Sequence, residues 1–151
     1  MIKVVCVGKI KEKFFVDAIK EYEKRLSKYI KLQIIEVPDE ADSSVDVCLK
    51  KESLSILKNI NDKDFVITLE IEGKKMNSLE LSKKIDYLLA TNPNITFVIG
   101  GSYGLDNVIK DRSNLSFSFS DLTFPHQLFR VVLLEQIYRV FKIINNESYH
   151  K

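Results

Sequence analysis

FVIGGSYGLDNVIKDRSNLSFSFSDLTFPHQLFRVVLLEQIYRVFKIINNESYHK runs from Phe97 to Lys151 and organises the rest of the chain. It holds the end of one apolar strand-like run, Ile95–Ile99, and the whole of another, Leu115–Phe119, each ending in a loop. The first loop is Gly100-Gly101-Ser102-Tyr103-Gly104. The second is Ser118-Phe119-Ser120-Asp121-Leu122-Thr123-Phe124-Pro125-His126. In an open α/β sheet, ligands sit outside the carboxyl ends of the strands. Two such loops so close in sequence mark the place to look for a site.

The upstream chain alternates in the same way. Ile2–Val7 is a short apolar run that reads as a buried strand. Phe14, Phe15, Ala18, Ile19, Tyr22, Leu26 and Tyr29 recur at three- and four-residue spacing, which predicts an amphipathic helix. Lys20, Glu23, Lys24 and Lys28 fall on its other face and read as a solvated surface. Leu32–Val37 is a second strand, stopped by Pro38, and a polar loop follows. Ser43 or Ser44 is placed to cap the next helix, which carries Val45, Leu49, Leu54, Leu57 and Ile60. Phe65–Leu69 is a third strand with a turn expected at Gly73. A helix starting at Ser78 lacks a full capping box when Ser78 is taken as its cap, and Asn92-Pro93-Asn94 ends it. A short helix is expected over 105–111. The order of elements predicts an α/β fold with a mainly parallel sheet flanked by helices, in one domain of 151 residues.

Pro125 suits the first turn of the last helix, which is expected to run to about Ile144. Between Leu128 and Ile144, apolar residues nearly encircle it. A helix that is apolar all round is buried all round. A sheet can cover only one side, so a second copy of the chain is expected against the other, as a two-fold homodimer.

Composition excludes several classes. The chain is 45% hydrophobic and 29% charged, which supports a packed core rather than disorder. No apolar run approaches the roughly 20 residues needed to span a bilayer. The first residues lack the cleavage pattern of a signal peptide, so a cytoplasmic location with no membrane partner is expected. Cys6 and Cys48 read as buried thiols, not a disulfide framework. A net charge of +2 is low for a protein gripping free nucleic acid through many phosphates. An RNA target would then require a local patch, a partner subunit or an assembled particle. No Cys/His spacing suits zinc, no metal is expected, and no G-x-S-x-G elbow is present.

Gly100-Gly101-x-x-Gly104 lets backbone approach a ligand, but it is neither a dinucleotide fingerprint nor a phosphate loop. Ser118–Phe124 reads either as helix capping or as a backbone-rich pocket for an adenosine-like ligand. His126 and Arg130, and again Glu135 and Arg139, stand four apart on a helix face. Tyr149-His150-Lys151 brings an aromatic ring, an imidazole and a cation to the chain end, a set able to stack on a base, move a proton and meet a phosphate.

The segments F-V-I-G-G-S-Y-G-L, L-S-F-S-x-L-T-F-P-H-Q-L-x-R-V-x-L-x-E-Q-I-Y-R and the terminal Y-H-K, with the opening K-V-V-C-V-G-K, resemble the RlmH-type methyltransferases of the SPOUT class. Those enzymes methylate N3 of a pseudouridine in the large-subunit ribosomal RNA. The resemblance covers the whole chain. It implies a C-terminal trefoil knot, which general topology rules would not suggest, and a homodimer. It implies an S-adenosylmethionine pocket at Leu69, Gly100, Phe119, Ser120, Asp121, Leu122, Thr123 and Phe124. It implies as substrate helix 69 of 23S rRNA in the assembled ribosome. His150 is then the expected general base or proton relay, with Tyr149 and Arg139 as further catalytic groups. Lys151, Arg130 and His126 are expected on the substrate side, with Lys9, Lys11 and Lys13 as possible RNA contacts. Two departures stand out: Ser102-Tyr103 replaces a frequent Pro-Glu, and Lys151 replaces a terminal Arg, keeping charge but losing the planar fork. The rival reading is a non-catalytic RNA- or ribosome-binding module of the same fold.

Overall fold

The structure, a computed structural model, describes residues 1–41 and 44–151. Its elements in order are β1 (Ile2–Val7), α1 (Lys13–Leu26), β2 (Leu32–Val37), α2 (Val45–Leu57) and β3 (Phe65–Lys75). Then follow α3 (Ser78–Thr91), β4 (Ile95–Ile99), α4 (Asn107–Arg112), β5 (Leu115–Ser118) and α5 (His126–Ile144). The five strands form one sheet in the order β2-β1-β4-β3-β5, with every neighbouring pair parallel.

Sequence explains the inner strands. β1 and β4 are buried at every position, as expected of parallel strands covered on both faces. One face packs Cys6, Ile67 and Phe97 under Leu26 of α1, Ile85 of α3 and Leu133 of α5. The opposite face packs Val5, Val66 and Val98 under Ile56 of α2 and Ile109 of α4. Cys6 and Cys48 are both buried, and burial pushes the Cys6 thiol up to about 11. Among the described residues, no helix is long and apolar enough to cross a membrane.

Three local readings change. α3 has a complete capping box, because the cap is Asn77 rather than Ser78: Asn77 Oδ1 accepts from Glu80 N at 2.9 Å, and Glu80 Oε2 accepts from Asn77 N at 2.8 Å. Ser44 is the α2 N-cap without a side-chain capping bond, and Ser43 lies outside the described residues. The turn expected at Gly73 is instead a bulge within a longer β3. Leu69 pairs with Phe117, and so does Lys74, so the residues between are looped out of the ladder. A Cβ on Gly73 would lie 2.7 Å from Phe117 N, so only glycine allows this approach.

The last helix is less enclosed than its composition suggests. Leu133, Leu134, Ile137, Val140 and Phe141 are buried, while Val131 and Val132 are half-buried and Leu128 is 37% exposed. Its buried side faces the sheet, α1 and α3.

Candidate active site

The carboxyl ends of β3, β4 and β5 open onto a cavity of about 260 Å³. That is near the lower end of small-molecule sites, which run from roughly 300 Å³ upward. Three sequence features build it. The β4 run ends at Gly100, where a Cβ would stand 2.6 Å from the Gly104 carbonyl oxygen, so the loop folds back tightly on itself. The β3 bulge swings Glu70, Ile71 and Glu72 over the opening. The segment after β5 supplies a wall of alternating rings and small polar groups.

Of the residues expected to hold the cofactor, Leu69, Gly100, Phe119, Ser120, Leu122, Thr123 and Phe124 all line this cavity. Asp121 does not; its carboxylate turns outward to Lys75 Nζ at 2.5 Å. His126 lines the cavity as well, and its Nδ1 is buried without a hydrogen-bond partner. A polar ligand atom there would satisfy it.

Glu70 and Lys110 also line the cavity and were not legible in the sequence, since they meet across forty residues of chain. Ser116 Oγ donates to Glu70 Oε2 at 2.6 Å and Thr68 Oγ1 donates to it at 2.7 Å. Lys110 Nζ stands 3.5 Å from Glu70 and 3.6 Å from Glu72. Burial pushes the Glu70 carboxyl up, but these donors and Lys110 outweigh it and hold it below the ordinary glutamate value.

Arg130 requires a correction. It was expected on the substrate side, yet it is only 1% exposed. Its Nη1 donates to Glu36 Oε2 at 2.6 Å and its Nη2 to the Gly8 carbonyl at 3.0 Å. Such a residue braces the exit of β1 and cannot touch an RNA.

The chain end forms a separate cluster on α5. Tyr149 Oη donates to Glu135 Oε1 at 2.9 Å, and Arg139 Nη2 donates to the same oxygen at 2.7 Å. The Arg139 guanidinium lies 4.7 Å from the Tyr149 ring centroid, and its Nη1 is 3.1 Å from His150 Nδ1. Burial, then the bond to Glu135, raises the Tyr149 phenol above its ordinary value, and the same carboxylate raises Arg139. His150 lines a second hollow with Ser78 and Gln136. Phe117 and Phe119 line both hollows, so a pair of rings separates the imidazole from the cavity. Lys151 is exposed at the end of the chain.

A parallel α/β sheet with a ring-lined cavity at its strand ends defines the class, and the chain belongs to the SPOUT methyltransferase family: the family model "Predicted SPOUT methyltransferase" matches residues 1–150. Within it, the chain is 48% identical to the ribosomal RNA large subunit methyltransferase H of Caldicellulosiruptor saccharolyticus over the full length of both. It is 50% identical to the protein of that name from Enterococcus faecalis, and 52% identical to the putative one from Methanococcus vannielii, each over 99% of both chains. A probable methylase family protein of known structure from Haemophilus influenzae shares the fold, with a TM-score of 0.62 at 14% identity over 99% of this chain and 70% of that one.

Proposed function

We propose that this chain methylates N3 of a pseudouridine in helix 69 of 23S rRNA, using S-adenosylmethionine, on the assembled ribosome. The proposal includes a cytoplasmic homodimer whose C-terminal region is knotted. The observation that carries it is the cavity at the ends of β3, β4 and β5, which gathers residues from three separate stretches, Leu69, Gly100 and the segment after β5.

The lining suits the cofactor. Phe119, Phe124 and Phe129 offer ring faces and apolar contact to an adenine. The short polar segment Ser120–Thr123 offers backbone groups to its edges, and the buried Nδ1 of His126 has a hydrogen bond to give or take. When bound, S-adenosylmethionine supplies an electrophilic methyl carbon on a sulfonium. The protein must then position a target nitrogen and manage its proton. Tyr149 and His150, held by Arg139 and Glu135, are the groups proposed to meet the target base, with Lys151 on the RNA backbone. Lys9 and Lys11, before α1, and Lys13, its first residue, are exposed and add positive charge suited to phosphate. In a homodimer, the tail of one copy can serve the cavity of the other.

The test is methyl transfer from labelled S-adenosylmethionine to intact ribosomes, separated subunits and naked rRNA, with the modified base mapped. Label at N3 of a pseudouridine in helix 69, on intact ribosomes alone, is the expected result. Label elsewhere refutes the substrate. Failure to bind the cofactor refutes the enzyme reading and favours a binding module.

A further inference from the structure

One carboxylate holds the end of the chain. Glu135 Oε1 takes hydrogen bonds from Tyr149 Oη and Arg139 Nη2, and Glu135 Oε2 takes one from Gln136 Nε2 at 2.9 Å. Arg139 is thereby fixed in rotation, with Nη1 set 3.1 Å from His150 Nδ1. A guanidinium has five N–H donors, no acceptor, and does not lose its proton in proteins. His150 Nδ1 is therefore the acceptor. A neutral imidazole that accepts at Nδ1 carries its hydrogen at Nε2. An imidazolium would turn an N–H toward the guanidinium, so this bond exists only with the neutral ring.

We infer that His150 meets the substrate as an Nε2–H hydrogen-bond donor, with Arg139 fixing its tautomer and Glu135 fixing Arg139. The inference rests on the proposed methyl transfer for its target. The edge of a uracil-type ring presents N3–H between two carbonyl oxygens. An Nε2–H cannot accept the N3 proton, but it matches a carbonyl oxygen. As that proton leaves, negative charge spreads onto the carbonyls, and a donor placed there stabilises it. The proton passes to water, and an N–CH3 bond replaces the S–CH3 bond. His150 thus favours loss of the proton without taking it, and the general-base role expected from the sequence is withdrawn. Glu135 and Arg139 are positioning residues in this scheme, since both act through the imidazole.

The chain has two histidines, His126 and His150, so a full-length sample with 15N-labelled histidine gives a simple spectrum. His150→Gln assigns it by loss of one ring. The expected wild-type pattern for neutral His150 is hydrogen on Nε2 and an acceptor Nδ1. Arg139→Met should move the Nδ1 resonance and leave His126 in place. Glu135→Gln, which keeps side-chain volume, should move it in the same direction and slow methyl transfer about tenfold or more at unchanged KM for the cofactor. A wild-type His150 protonated at Nδ1 overturns the inference, as does an Nδ1 resonance indifferent to both substitutions. These spectra need no substrate. If the wild-type protein methylates no ribosome, the proposed function fails while the tautomer is still decided.

Discussion

Arg130 Nη1 on α5 lies 2.6 Å from Glu36 Oε2 at the end of β2, and Glu36 Oε2 also accepts the backbone N–H of Ile10 at 2.9 Å. The same guanidinium donates to the Gly8 carbonyl. The start of α5, the end of β2 and the turn leaving β1 are therefore tied by one buried cation. His126, one helical turn before Arg130, is carried by that frame into the cavity wall.

Replacing Arg130 with Met should destabilise the fold by about 2–3 kcal/mol, because the Gly8 carbonyl loses its donor and Glu36 keeps the Ile10 N–H but loses its counter-charge. The cost falls short of a fully buried pair because the Glu36 side chain is 37% exposed and water can reach it. Urea unfolding measures the loss. Binding of labelled S-adenosylmethionine should weaken as the His126 wall shifts.

Two glycines should respond differently to alanine. At Gly73 the added Cβ meets backbone atoms of Phe117 and Ser116 at 2.7–2.8 Å, which cannot yield without moving β5 away from β3. Gly73→Ala should cost about 2–3 kcal/mol, as overpacking does, and disturb the bulge that covers the cavity. Gly104 has φ +76° but open space around it, so Gly104→Ala pays only backbone strain of about 1 kcal/mol. Thermal unfolding of the two variants should rank them in that order.

That contrast shows what was legible in the sequence. The parallel sheet was, because β1 and β4 are short runs that are apolar except for Lys3 and Thr96, and helical periodicity separates the strands. The position of the cavity was, because the two loops end β4 and β5. The β3 bulge was not, since Gly73 after an apolar run reads equally as a turn, and only the neighbouring strand reveals the close approach. Arg130 was misassigned because spacing from His126 gives a helix face without saying what covers it. Glu70 and Lys110 carry no local pattern at all; a fold brings them together.

Acid should weaken the fold through Asp64. At the opposite end of the sheet from the cavity, its carboxylate takes Lys3 Nζ at 2.5 Å, Thr96 Oγ1 and Asn61 N at 3.0 Å, and Asn94 Nδ2 at 2.9 Å. Burial pushes its carboxyl up, yet these four donors outweigh burial and hold it below the ordinary aspartate value. The unfolded chain, with an aspartate near its usual value of about 3.9, therefore binds this proton more readily than the folded one. The contribution of Asp64 is complete above about pH 5 and is lost as pH falls through the carboxylate range. Asp64→Asn should cost about 3 kcal/mol at neutral pH by leaving the Lys3 ammonium buried without its counter-charge. The gap between wild type and Asp64→Asn, measured by urea unfolding against pH, should narrow on acidification; a gap that widens would contradict the assignment.

Glu147 separates stability from activity. It follows the turn at Asn146, which adopts φ +54° just beyond α5. Its carboxylate takes hydrogen bonds from Tyr29 Oη at 2.9 Å and from Lys142 Nζ at 2.8 Å. The Lys142 and Glu147 side chains are 15% and 33% exposed, so water still reaches the pair and its net contribution to folding is small. These bonds nevertheless fix the point from which Tyr149 and His150 depart, two and three residues on. Glu147→Ala should leave the thermal midpoint and cofactor binding close to wild type, while methyl transfer falls because the tail samples more conformations before it reaches the base. If transfer proceeds at the wild-type rate, the Glu135–Arg139 clamp alone is sufficient to place His150, and the turn after α5 is only a chain terminus.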